Sequence, residues 1–201
     1  GQARPVTVDS TTGHDGRQRM TSFAHRCGIH DDARAAALSR AALLAGGLEL
    51  VRFAWCDVHG VTRGKTLVAG AAAKAMMDGV GMVSTLMLKD TSDRTAFKVF
   101  EPGGTADLPG FGQANNLLLL ADPDSFRQLP WTPASGWVQC QPWFQDGTPV
   151  ELDTRRVLQR ALARLAAAGY GMKCGLEVEF HIYRIDDTRA QMDPSLAAWP
   201  G

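Results

Sequence analysis

The sequence has no excess of charge. Its 21 basic side chains are matched by 21 acidic ones, and the isoelectric point is near 7.1. Nothing in that balance favours nucleic acid or an anionic membrane as a standing partner. Long apolar runs are missing too. The stretch 161–168 is broken by Arg164 and falls far short of a membrane span. The start, Gly-Gln-Ala-Arg-Pro, is polar and offers no signal-peptide core, and an initiating Met is absent. Cysteine is scarce. Cys27, Cys56, Cys140 and Cys174 form no CxxC pair and no disulfide framework. Three of them, Cys56, Cys140 and Cys174, lie in strand-like segments, as buried free thiols do. A reducing, cytoplasmic setting follows from this usage. There is no internal repeat and no low-complexity segment.

What is present is a core-forming composition, 45% hydrophobic, and one unusual stretch. Residues 175–183 read Gly-Leu-Glu-Val-Glu-Phe-His-Ile-Tyr. In an extended strand Leu176, Val178, Phe180 and Ile182 share one face, and Glu177, Glu179, His181 and Tyr183 the other. Carboxylates two residues apart stand about 7 Å apart at ~3.4 Å per residue. That is too far to share a proton, but it suits oxygen ligands reaching two neighbouring divalent cations ~3.5–4 Å apart. Hard ions such as magnesium want carboxylate oxygens. The plain alternative is a packed strand with one polar face. Against it, Glu is depleted in strands, and two Glu on one face repel unless a cation lies between them.

Elsewhere the pattern reads as follows. Residues 1–30 form a loosely ordered arm without periodicity. His25, Cys27 and His30 lack a second ligand pair at finger spacing, so they are not read as a metal site. Asp31-Asp32 caps a helix to about residue 44, ended by Gly46-Gly47. Strands over 48–57 and 62–69 make a hairpin around His59-Gly60. A short helix (71–78), a strand (83–88), a long loop (89–115) and strands over 116–121 and 137–144 follow. Asp153 then caps a helix with Val157, Leu158, Ala161, Leu162 and Leu165 at helical spacing, ending at Gly169. The order suggests an α+β unit over 31–145 and a second, incomplete domain over 146–201. The final residues, 186–201, read as a loop. Gly60 and Gly64 read as turn and bulge glycines, and Arg63 and Lys65 as charges on a solvated hairpin face or at a subunit contact.

Four pieces together resemble the glutamine synthetase family. The segment Val51-Arg-Phe-Ala-Trp-Cys-Asp57-Val-His-Gly60-Val-Thr-Arg63-Gly64-Lys65 is similar to the family's opening hairpin. Asn116-Leu-Leu-Leu-Leu-Ala-Asp122-Pro123-Asp124, with Pro130-Trp131 downstream, is similar to its strand and Pro-Asp turn. Asp146-Gly147-Thr-Pro149-Val-Glu-Leu-Asp153-Thr-Arg155-Arg-Val-Leu158 resembles its Gly-x-Pro segment and following helix. Gly175-Leu-Glu177-Val-Glu179-Phe180 resembles its Glu-x-Glu-Phe metal strand.

The resemblance implies a β-grasp N-terminal domain followed by the start of a larger catalytic α+β domain. It implies an ATP-dependent ligase that joins the γ-carboxylate of glutamate to ammonia or a larger amine through γ-glutamyl phosphate. The cations would be Mg2+ or Mn2+. Glu179 would bind the metal nearer glutamate and Glu177 the metal nearer ATP. The subunits would form a ring with sites between neighbours. Ammonia-using members carry an Asp-Gly-Ser-Ser loop that projects into the neighbouring subunit's site. Here the nearest segment is Asp90-Thr91-Ser92-Asp93, in which Asp90 would attract the amine and take its proton. The altered loop leaves the amine open, and Asp90 also reads as a surface turn residue. His181 stands where many members have an aromatic residue and reads as a polar filler. The family pattern continues well past the Glu-x-Glu strand with further ligands, so residues 1–201 alone are expected not to complete the reaction. The competing expectations are a non-catalytic β-grasp binding or assembly module and a regulatory pseudoenzyme.

Overall fold

The computed structural model describes residues 22–182 apart from 30–33, 36, 40, 43–45, 106, 107 and 112–114. Most of the expected N-terminal arm, the Asp31-Asp32 cap, His30, Tyr183 and the tail 186–201 lie outside the described residues. The chain divides into two compact units, Gly1–Ala163 and Arg164–Gly201.

The first unit is built on one mixed sheet. Its strands are β1 (Leu50–Cys56), β2 (Thr62–Val68), β3 (Val80–Val83), β4 (Asn116–Ala121), β5 (Arg127–Gln128) and β6 (Ser135–Phe144). The order across the sheet is β2-β1-β6-β4-β3, with β5 paired to β6. β1 and β6 run parallel and the other pairs antiparallel. Strand β6 is long enough to serve two neighbours. Its first half pairs with Leu50–Ala54 of β1 and its second half with Leu117–Ala121 of β4.

Position in the sheet explains each strand's composition. β4 reads Leu-Leu-Leu-Leu because both of its faces are covered. Leu117 and Leu119 enter the main core beside Phe53, Trp55, Val138 and Met76. Leu118 and Leu120 meet a second cluster with Phe23, Ala24 and Trp143. β2, at the sheet's margin, carries Thr62, Arg63, Lys65 and Thr66 and is largely exposed, as a protected edge strand should be. The helix α1 (Phe23–Arg26) supplies the second cluster. The Ala-rich α2 (Ala69–Asp78) packs Ala72, Ala75 and Met76 into the main core and stops at Gly79, whose φ is +79°.

Two expectations change here. The strand over 83–88 is instead Val80–Val83, followed by a 3-10 turn, Ser84–Leu88. Val83 pairs with Asn116, the first residue of β4; the Ser84 amide still reaches the Asn115 carbonyl at 2.8 Å, and from there the chain winds into the 3-10 turn. Gly64 is no bulge. It sits in regular register opposite Ala54, where a Cβ would lie 2.3 Å from the Phe53 carbonyl oxygen, so glycine is required by close approach.

Helix α3 (Thr154–Ala167) starts as expected. Asp153 is buried, and its Oδ2 accepts the Arg156 amide at 3.1 Å. The apolar stripe of α3 is not core, however. Val157, Leu158 and Leu162 are exposed. No helix among the described residues is long and apolar enough to cross a membrane.

In the second unit the end of α3 is closed by Gly169 (φ +83°), with the Tyr170 amide donating to the Leu165 carbonyl at 3.0 Å. Residues 171–182 then carry neither helix nor strand and are exposed. The strand expected at 175–183 is therefore not formed over its described part. A strand is stable only when its amides and carbonyls find a neighbouring strand, and 175–182 has none among the described residues. Cys174, expected in a buried strand, is exposed for the same reason, whereas Cys140 is buried in β6 and Cys56 half-buried.

Candidate functional site

The first unit presents its polar chemistry where the β1–β2 hairpin meets the loop 89–95. The hairpin turn is organised by one buried carboxylate. Asp57 is 1% exposed, and its Oδ1 accepts the amides of His59 and Val61, each at 2.9 Å. Gly60, at φ +80°, lets the chain reverse. The other oxygen, Oδ2, accepts Nε of Arg63 at 2.8 Å. Burial alone would raise the Asp57 pKa, but the Arg63 hydrogen bond and those from Val61 and His59 hold it below the usual carboxylate range.

Arg63 does not stop at Asp57. Its second arm, Nη2, donates to Oδ1 of Asp93 at 2.6 Å. His59 adds a further link through Nε2, 2.8 Å from the Lys89 carbonyl. A carbonyl only accepts, so Nε2 carries the hydrogen. Lys89 Nζ in turn donates to the Asp93 carbonyl at 3.1 Å. The hairpin and the loop are thus tied by two side chains.

Asp90 sits inside this loop and is partly exposed. Its Oδ1 accepts the amides of Ser92 (2.8 Å) and Arg94 (2.9 Å), and its own amide donates to the Arg94 carbonyl at 2.8 Å. The hydrogen bond from the Arg94 amide leads the causes that depress its pKa, so the group is ionised at neutral pH. The turn role expected for Asp90 is present. Its Oδ2 has no hydrogen-bond partner among the described residues, which leaves one anionic oxygen open to solvent or to a cationic ligand.

Glu177 and Glu179 belong to the second unit, and both are exposed on the irregular segment. Among the described residues no group of three or more His, Cys, Asp or Glu comes together in a metal-holding arrangement. Two carboxylates match the chemistry of a hard divalent cation, but they fall short of the six oxygens such an ion gathers. They fit as a partial donor set. Asp90 and the two glutamates therefore lie in different units of the chain.

Sequence reasoning missed the Asp57–Arg63–Asp93 chain of charges. Arg63 looked like a solvated surface cation, and instead it bridges two carboxylates. One signal was available. Asp-x-His-Gly after an apolar strand is an Asx-turn pattern, and its carboxylate has an oxygen to spare for a cation nearby. A second ion pair was also missed, Arg155 Nη2 to Asp122 Oδ2 at 2.5 Å, which ties the start of α3 to the end of β4. A separate cavity of about 660 Å3 is lined by Phe111, Phe144, Pro109 and Leu152 among others. Its acids are committed elsewhere, Asp146 to Thr148 and Glu151 to Arg160.

No protein-family model matches the chain. Individual relatives do. A γ-glutamylanilide synthase of Acinetobacter sp. is 31% identical over 158 residues, which is 77% of this chain and 31% of that protein. A glutamine synthetase of Pyrococcus woesei is 25% identical over 144 residues, 70% of this chain and 27% of that protein. The chain is a relative of the glutamine synthetases. Among solved structures, the GmaS–ADP complex is similar at 28% identity, with 62% of this chain and 26% of that chain covered and a TM-score of 0.44. This glutamine synthetase relative spans about a third of the length of the curated proteins it matches. Of the two relatives named, the anilide synthase has the higher identity.

Proposed function

We propose that the chain is part of an ATP-dependent ligase that joins the γ-carboxylate of glutamate to an amine through γ-glutamyl phosphate. The observation that carries this reading is the 31% identity to a γ-glutamylanilide synthase over 77% of the chain. It agrees with the motif order in residues 51–180. The same relationship favours an amine larger than ammonia, as does the loop at Asp90, which reads Asp-Thr-Ser-Asp.

The proposed chemistry assigns each residue a task. Glutamate and ATP are both anions, and phosphoryl transfer between them requires their repulsion to be screened. Glu177 and Glu179 would hold Mg2+ or Mn2+ for that purpose, Glu179 nearer glutamate and Glu177 nearer ATP. The ion, when bound, supplies Lewis-acid screening of the phosphate charge. Asp90 would draw a protonated amine by its open oxygen and accept a proton from it. In this reading the Asp90 loop serves a neighbouring subunit's site within a homo-oligomeric ring, and residues 1–201 do not complete the reaction alone. The sheet of the first unit is read as a β-grasp, supported by the β1–β2 hairpin, the parallel β1–β6 pair and the helix α2. A cytoplasmic setting is supported by four unbridged cysteines.

The test is an assay of the intact protein, translated from its whole reading frame. ADP release is followed with glutamate, Mg2+ and, in turn, ammonium, a small aliphatic amine and an aromatic amine. Release that needs both glutamate and one of the amines supports the ligase. Its absence with every amine shifts the reading to a binding or assembly module.

A further inference from the structure

We infer that Arg63 is a positioning residue for the amine-recognising loop: it clamps Asp93 to the buried Asp57 and thereby fixes where the open oxygen of Asp90 points. The inference rests on the role proposed above for Asp90 and goes beyond it by naming what holds that residue in place.

Three observations carry it. First, the bonds inside the loop 89–95 give it a shape of its own, through Asp90 Oδ1 with the Ser92 and Arg94 amides and the Asp90 amide with the Arg94 carbonyl, but they do not tie it to the hairpin. Second, Arg63 reaches out of a regular strand pair, where its backbone is set opposite Trp55. One arm is anchored at 2.8 Å on a carboxylate that is itself buried and held by two amides, and the other grips Asp93 at 2.6 Å. A planar guanidinium spanning two carboxylates transmits position in a way a single-point ammonium does not. Third, Asp93 takes φ +60°, alone among the described non-glycine residues. Aspartate tolerates that left-handed conformation, but it persists only where surroundings impose it. Here they do: Arg63 holds the side chain, Lys89 the carbonyl, and the Asp93 amide donates to the Asp90 carbonyl at 3.1 Å. Displacing Asp93 displaces Asp90 with it.

The consequence is specific. A loosened loop weakens amine capture and proton acceptance and leaves the sites for glutamate and ATP as they are. The experiment uses the intact protein and three variants, Arg63→Gln, Asp93→Asn and Arg63→Lys, with Lys74→Gln as a control. Asn keeps the tolerance for positive φ while losing the charge. Lys74 pairs with Asp78 on α2 and not with the loop, and its loss removes the same charge.

Hydrogen exchange at the amides of Asp90, Ser92 and Arg94 reads the clamp directly, whether or not the protein ligates. Faster exchange in Arg63→Gln and Asp93→Asn, but not in Lys74→Gln, is expected, and unchanged exchange overturns the inference. Steady-state kinetics read the consequence. The amine KM should rise about tenfold, the scale of one lost charge-assisted hydrogen bond, with the KM values for glutamate and ATP steady. Arg63→Lys, which can restore one of the two links, should recover part of the loss. Equal rises in all three KM values mean a general structural defect and overturn the positioning role. If the unaltered protein ligates no amine, the ligase reading fails and takes the amine role of the clamp with it, while exchange still decides whether the clamp itself exists.

Discussion

Strand β1 and the segment 175–182 share one sequence signal, a large apolar side chain at every second position, and end in opposite conditions. In β1, Val51, Phe53 and Trp55 are almost wholly buried. In the other segment Leu176, Val178, Phe180 and Ile182 are all exposed, Phe180 at 73%. The difference is a neighbour. β1 lies between β2 and β6 and satisfies its backbone on both edges. The segment 175–182 has no strand beside it among the described residues. Alternation states which face a strand would bury, while only pairing makes the strand.

Four measurements break or sharpen that comparison. The largest effect belongs to the exposed segment, despite its lack of structure. In the intact protein, Glu179→Ala should abolish glutamate- and metal-dependent ADP release, by about a thousandfold or more if the cation contributes several kcal/mol. Retained turnover with normal metal dependence removes Glu179 from the site.

The next effect concerns stability and runs the other way. Phe53→Ala should cost the first unit about 3–5 kcal/mol, since it empties a fully buried aromatic position. Phe180→Ala in residues 1–201 should change stability by less than about 0.5 kcal/mol. Urea melts of both variants decide it, and an equal loss in the two would mean that Phe180 is buried after all.

Acid provides the third test. The folded-state pKa of Asp57 is depressed, so its contribution is complete above the ordinary carboxylate range and is lost as pH falls through the depressed value. Urea midpoints should therefore drop as pH falls below the ordinary carboxylate range. Asp57→Asn should flatten that drop and cost about 1–3 kcal/mol at pH 7, because Arg63 loses a charged partner. An undiminished drop in the variant would assign the acid sensitivity to other groups.

The smallest effect is at the cap of α3. Burial raises the Asp153 pKa, so ionisation costs the folded state stability as pH rises past the ordinary carboxylate value. Asp153→Asn keeps an acceptor for the Arg156 amide and removes the buried charge, and its thermal midpoint should equal or exceed that of the parent near pH 7. Asp153→Ala loses the cap and should cost about 1 kcal/mol. A larger loss in the Asn variant than in the Ala variant would show that the charge itself is needed.

Much of the fold was legible. The hairpin, α2, β4, β6 and the cap of α3 follow from apolar runs and periodicity, from the His59-Gly60 turn, and from Asp153. What escaped was set by partners distant in sequence. The end of β3 at Val83 was decided by the 3-10 turn that Ser84 begins against Asn115, and the need for glycine at 64 by the Phe53 carbonyl eleven residues earlier in the hairpin. The exposed stripe of α3 shows the limit from the other side, since helical spacing names a face without naming what covers it. At the candidate site, Glu177 and Glu179 were proposed from their spacing and the resemblance and Asp90 from the resemblance, while the link between Asp57, Arg63 and Asp93 was not foreseen. Their connection depends on a loop folding back onto a hairpin thirty residues away.

By itself the sequence determined local conformation and chemical type. Turn residues, capping acids, apolar faces and a pair of carboxylates two positions apart are properties of neighbours along the chain, where a few dihedral angles and side-chain lengths decide the outcome. The tertiary structure alone decided which faces were covered, which charges met, and which alternating segment became a strand. Those outcomes depend on groups brought together from far along the chain, and a hydrogen bond or a buried contact forms only where its partner arrives.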